Sequence, residues 1–210
     1  MVKETGGVAE GSEGWEVVSP LTRLLASSES SDAFIRGSDY LRAVRQLAVQ
    51  PGMIEVTENI DSRIRICTWI GNNIDVINAE LQTCLEACHS CFHPQERREM
   101  QILAAPLAEG LGVDAFCNIS AEPRALVIDV GRIYPQDWLS IVAHEYAHAH
   151  LGYPGHDRNF LAILEHLCLG LGLEPPQVKK FNQSDRESWL RNWPHCTPRP
   201  DPLAFWCGQT

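Results

Sequence analysis

His144-Glu145-Tyr146-Ala147-His148 sets two imidazoles four residues apart, with a carboxylate directly after the first. On a helix, residues four apart lie one turn above each other, so both rings can grip one Zn²⁺ ion from the same stripe. Glu145 stands about 100° round the helix from His144. From there its carboxylate reaches a metal-bound water rather than the metal. The chemistry of such a set is zinc-assisted hydrolysis, in which Glu145 is the general base for a water activated by the ion.

Catalytic zinc usually takes three protein ligands and keeps one position open. His156 is the first candidate for the third, because it follows the Gly152-Tyr153-Pro154-Gly155 turn and can point back at His144 and His148. Asp157 is the second candidate, although a helix N-cap would compete for its carboxylate. Glu165 is the third candidate and requires the two helices to cross near the ion. His150 lies about 200° from His148 on a helix and so points away, and His166 has no neighbour at metal spacing. Tyr153 and Arg158 are the nearest donors for a developing oxyanion.

The elements that must position these groups can be read on both sides of the motif. Pro135 suits a first helical position, Asp137 complements the helix start, and Gly152 suits a left-handed terminator, which predicts a helix over 135–151. A second helix is predicted over 157–169. Ala125-Leu126-Val127-Ile128-Asp129-Val130 is short, apolar and β-branched, and it reads as the one convincing strand. Residues 96–112, with Met100, Ile102, Leu103, Leu107 and Leu111 apolar, read as a helix. Upstream, helices are expected over 39–50 and over 60–91, the latter broken near Gly71-Asn72-Asn73.

The predicted fold is therefore α+β. Residues 1–32 form a flexible leader, 33–95 a helical layer, 96–180 the core that carries the motif, and 181–210 a Pro- and Trp-rich tail packed on that core.

The stretch from Ile141 to Phe160 resembles the SprT-like and WLM/YgjP-type zinc metallopeptidases of the zincin group. In those families a His-Glu-x-x-His helix is followed by a further histidine and, four residues later, a phenylalanine. The resemblance implies a small zincin-like metallopeptidase core in which His144, His148 and His156 hold Zn²⁺, Glu145 is the catalytic base, and Phe160 is a packing anchor. It also implies that the strand at 125–130 pairs with extended polypeptide substrate. Pro154 stands six residues beyond His148, where the metzincin group has its third histidine. The expected activity is zinc-dependent hydrolysis of peptide bonds.

Cys84, Cys88 and Cys91 share a helical stripe, where three thiols can either fill an interface or converge on a soft metal. Two other readings of the chain therefore stay open. One is a binding or scaffold protein whose structural zinc is closed by a fourth ligand such as Cys168 or Glu165. The other is a metal or redox protein that works through the three cysteines. Cys196 and Cys207 sit among the tail tryptophans.

The chain has 210 residues, 44% of them hydrophobic and 21% charged, with a formal net charge of −10. That is enough to bury a core without disulfides, and the acidic balance disfavours nucleic acid and anionic membrane as partners. No run is long enough to span a bilayer and the start lacks a secretory h-region, which predicts a soluble, cytoplasmic protein. Trp15, Val17 and Val18 in the acidic leader allow an autoinhibitory contact with the cleft.

Overall fold

The computed structural model describes residues 31–177, 190 and 192–209. All of the expected leader except Ser31 and Asp32 lies outside the described residues, as does any contact it makes with the cleft. The described part is α+β: five helices, four short 3₁₀ turns and a three-stranded sheet.

Helix α1 (Ala33–Leu47) starts six residues earlier than its apolar spacing suggested, because the Asp32 side chain caps it by accepting from Phe34 N at 2.8 Å. Helix α2 (Ile60–Ser90) runs 31 residues without the break expected at Gly71. The glycine is there for proximity. A Cβ on Gly71 would lie 1.9 Å from the Ala33 carbonyl oxygen, and one on Gly37 would lie 1.9 Å from that of Cys67, so α1 and α2 meet backbone to backbone. Arg36 adds two bonds to the Gly71 carbonyl, at 3.1 and 2.9 Å.

The expected helix over 96–112 is not formed. Its first half is strand β1 (Met100–Ala104), followed by a 3₁₀ turn at Glu109–Leu111. The apolar spacing there fits a helix and a buried strand equally well, and long-range pairing decides the outcome. β1 lies parallel to β3 (Arg124–Ile128), in register from Met100↔Arg124 to Ala104↔Ile128. β2 (Ala115–Asn118), not anticipated from the sequence, lies antiparallel on the other side of β3.

The sheet order β1-β3-β2 therefore puts β3 in the centre. Both of its edges are paired, so it cannot accept a substrate strand as expected. Its apolar run is explained by the same position: Ala125, Leu126, Val127 and Ile128 are all fully buried, as a strand covered on both faces must be.

Helix α3 (Trp138–Leu151), led in by a 3₁₀ turn at Pro135–Asp137, packs on β2, β3, α2 and α4 (Arg158–Leu171). The C-terminal segment returns to the core through an isolated bridge between Ile133 and Pro198. It ends in the short helix α5 (Pro202–Trp206), where Trp69 meets Phe205 and Trp206 edge-on at 4.9 and 5.5 Å. No helix among the described residues is long and apolar enough to cross a membrane.

Candidate metal centre

Helix α3 is buried on every side from Ile141 to Ala149, the signature of a helix that runs through a core rather than over it. Its end is sharply defined. Gly152 takes φ +79°, its N–H bonds the His148 carbonyl at 2.8 Å, and a Cβ there would press on the Arg124 guanidinium. Arg124, the first residue of β3, donates to the Ala149 carbonyl, so a cation stands at the negative end of the helix dipole. The turn that follows delivers the chain to α4, whose N-cap is Asp157.

This path brings three imidazoles together. The Nε2 atoms of His144, His148 and His156 form a triangle with all three sides 3.2 Å. Ligand nitrogens around a tetrahedral zinc at 2.0–2.1 Å stand about 3.3 Å apart, so the triangle has the size the ion requires. His148 Nδ1 faces the Tyr153 carbonyl at 3.3 Å; donating there leaves the Nε2 lone pair turned inward, the arrangement that holds metal-ligating histidines.

The rings rest on Phe160, which is fully buried with centroids 5.0, 4.5 and 4.7 Å from those of His144, His148 and His156. Burial, followed by mutual repulsion with the neighbouring imidazoles, holds His144 well below its ordinary pKa and lowers His148 to about 4. Both rings are therefore neutral at physiological pH and able to ligate. His144 Nδ1 is buried without a hydrogen bond of ordinary geometry, and the Trp193 main chain lies close enough to oppose part of the fall.

Glu145 follows His144 and does not join the triad. Its side of α3 is closed, leaving it 6% exposed, and burial raises its carboxyl to about 8. Cys117 on β2 lies near enough to feel the Glu145 charge, while its own burial pushes its thiol up to about 12. Nothing in the sequence singles out Cys117, because only the β2–β3 register places it there. Trp193 is similar, since its approach to His144 depends on the return of the C-terminal segment.

The other candidates are assigned elsewhere. Asp157 caps α4 by accepting from Asn159 N and Phe160 N at 2.8 and 3.1 Å, and it also accepts the Tyr153 hydroxyl at 2.5 Å. That commits both Asp157 and the Tyr153 hydroxyl. Arg158 and Glu165 are exposed, and the group among the described residues that could hold a metal ion has three members, all histidines. His150 stacks on Phe92 at 4.3 Å, on the far side of α3, as its helical phase requires. His166 Nε2 contacts the Cys91 carbonyl at 2.7 Å.

Cys84, Cys88 and Cys91 do not gather into a metal-sized group. Cys88 is fully buried, and the Cys91 sulfur occupies the space beside Gly170, 2.6 Å from where a Cβ would stand. Burial raises all three thiols, which suits packing between α2 and α4. Cys168, Cys196 and Cys207 are free thiols as well.

No protein-family model, curated protein or solved structure matches this chain.

Proposed function

We propose that this chain is a zinc-dependent metallopeptidase of the zincin type, with His144, His148 and His156 as the ligands and Glu145 as the general base. The observation that carries the reading is the triangle of imidazole nitrogens with a buried carboxylate on the adjoining residue. A zinc ion held there supplies Lewis acidity for a carbonyl and lowers the pKa of water toward neutrality.

The protein's own part is to order and to move protons. Tyr153, through its carbonyl, sets the His148 tautomer. Phe160 fixes the ring planes. Glu145, on the residue after the His144 ligand, takes a proton from the attacking water and returns it to the departing amine. Among the described residues the site has three protein donors rather than four, which supports catalysis over a closed structural site. With β3 enclosed, the pairing of extended polypeptide passes to an edge of the sheet. The β2 edge is the one beside Glu145, by way of Cys117, and strand addition there is a recurring mode of peptide recognition.

The test is metal content together with hydrolysis of an unfolded protein, before and after chelation and after zinc is restored. The expected result is one zinc per chain and activity that is lost and regained with it. A chain that binds zinc stoichiometrically yet cleaves nothing would leave the scaffold reading standing in its place.

A further inference from the structure

A second concavity lies at the other end of β3. Arg124, at the start of this strand, reaches the end of α3 nearest the triad, whereas Asp129 and Arg132, just past its end, line a cavity of about 750 Å³. Five residues of strand span about 16 Å, so the two sites are separate. Outside the carboxyl ends of a parallel strand pair is where open sheets commonly take ligands, and the volume lies within the usual range for binding pockets.

The floor is apolar, made by Val56, Ile66, Leu107, Leu203 and Trp206, and Leu203 at the mouth is 46% exposed. The rim carries Glu55, Glu58, Glu109, Asp114 and Asp201. Two arginines also line the cavity, but both are committed to the fold. Arg132 bonds Asp129 and the carbonyls of Val113, Leu107 and Ala108. Arg199 donates through Nε to the carbonyls of Val130 and Ile133, with its guanidinium between Tyr134 and Phe205.

Asp129 is itself saturated by Leu107 N, Gly131 N, Arg132 and the Trp206 indole. With Asp129 paired to Arg132, the rim carboxylates, of which Asp201 also caps α5, stand against the one cation of Arg199 and leave a net negative lining, disposed on the loop before α2, the loops after β1 and before β2, and the C-terminal segment. Pro106, Pro198 and Pro202 on the walls offer no N–H, which limits backbone pairing there.

We infer that this groove binds a basic polypeptide segment, its lysine or arginine side chains meeting the rim carboxylates and its interleaved apolar side chains lying on the Leu107–Trp206 floor. The complementarity is one of charge over an apolar base, and it stands independently of the metallopeptidase reading.

The experiment uses the full chain and a fluorescein-labelled peptide of Lys-Leu-Ser repeats, with a Glu-Leu-Ser peptide and spermine as comparisons, read by anisotropy. The lysine peptide is expected to bind and the glutamate peptide not to. Replacing the exposed rim in Glu55→Gln/Glu58→Gln/Glu109→Gln is expected to weaken binding about tenfold, as three partly screened ion pairs would. A variant with equal charge change elsewhere, Glu80→Gln/Glu99→Gln/Glu174→Gln, should bind as wild type does. Leu203→Ser, which removes apolar floor without altering charge, should weaken binding by about threefold. No binding of the lysine peptide, or equal loss in the two triple variants, would overturn the inference, the second by showing attraction to overall charge. Spermine bound as tightly as the peptide, with Leu203→Ser silent, would overturn the polypeptide assignment in favour of a simple polyamine. Unchanged zinc content in every variant separates any of these results from the state of the metal site.

Discussion

Helix α3 carries histidines toward two different regions, and the contrast shows what gathers histidines into a group that could hold a metal ion. On one side His144 and His148 meet His156 nitrogen to nitrogen, at 3.2 Å. On the other, His150 presents its flat face to Phe92, itself stacked on Tyr146, while His89 and His166 close the group from α2 and α4. There no ring nitrogens converge: His89 Nδ1 meets the Tyr146 hydroxyl at 3.0 Å, His166 meets a backbone carbonyl, and His150 Nδ1 is buried without a hydrogen bond. The two groups share residue type but not burial, for His144 and His148 are buried whereas His89 and His150 are half-buried and His166 is exposed. They differ also in helical phase, and in a return loop of the right length to supply the third ring.

The contrast is broken most severely by removing one group and sparing the other. His144→Ala/His148→Ala is expected to abolish zinc binding and peptide hydrolysis, whereas His89→Ala/His166→Ala should retain stoichiometric metal; mass spectrometry of the native protein reads both. Glu145→Gln comes next. It should keep the zinc and lower kcat by about 10²- to 10⁴-fold, and a variant of normal turnover would end the peptidase mechanism.

Glu145 also leaves a signature in the chelated protein. Its folded-state carboxyl is raised from 4.5 to about 8 by burial, so the native chain retains a proton that the unfolded chain gives up. The resulting stability is fully present below about pH 4.5 and is lost as pH rises through about 8. His144 and His148, lowered by burial, act in the opposite sense but equally in both proteins, so thermal melts in chelator should show the stability of wild type relative to Glu145→Gln falling as pH rises across that interval.

Third in size is the loss of one ligand. His156→Ala should weaken zinc binding by more than about 10²-fold, since even an outer partner of a ligand is worth 10- to 100-fold; His150→Ala should leave the affinity unchanged. Competition with a chromophoric chelator measures both, and a reversed order would contradict the assignment of faces. The smallest effect belongs to Tyr146→Phe, which removes the hydroxyl that meets His89. About 1 kcal/mol of stability should go with it, read by denaturant unfolding, with zinc affinity intact.

Local signals in the sequence were sufficient for the segment that bears the site. Gly152 ends α3, Asp157 caps α4, and His156 lies between them, each fixed by a conformational need of its own residue type. The sheet was less legible. β1 carries Ile102 and Leu103 in a run that suits a helix as well as a strand, and only its ladder with β3 resolves the choice. β2 is four residues long, and Cys117 acquires a place beside Glu145 through register alone. Gly71 misled for a different reason: a glycine inside a helical pattern ordinarily argues for a break, but here it answers to a neighbouring backbone that lies far away in sequence.

The crossing of α1 and α2 also limits how the protein can move. Gly37 and Gly71 each face a carbonyl of the opposite helix so closely that rolling or sliding either helix would bring a flanking residue, with its Cβ, into the place of the glycine and against main chain. Shear between packed helices, a common route for relaying a change of shape, is thus closed to this pair, and α2 carries that constraint to α3, which packs on it. Breathing of the triad is left to the segments that reach it without that constraint: the turn at 152–157, which brings His156, and the C-terminal segment that passes Trp193 beside His144.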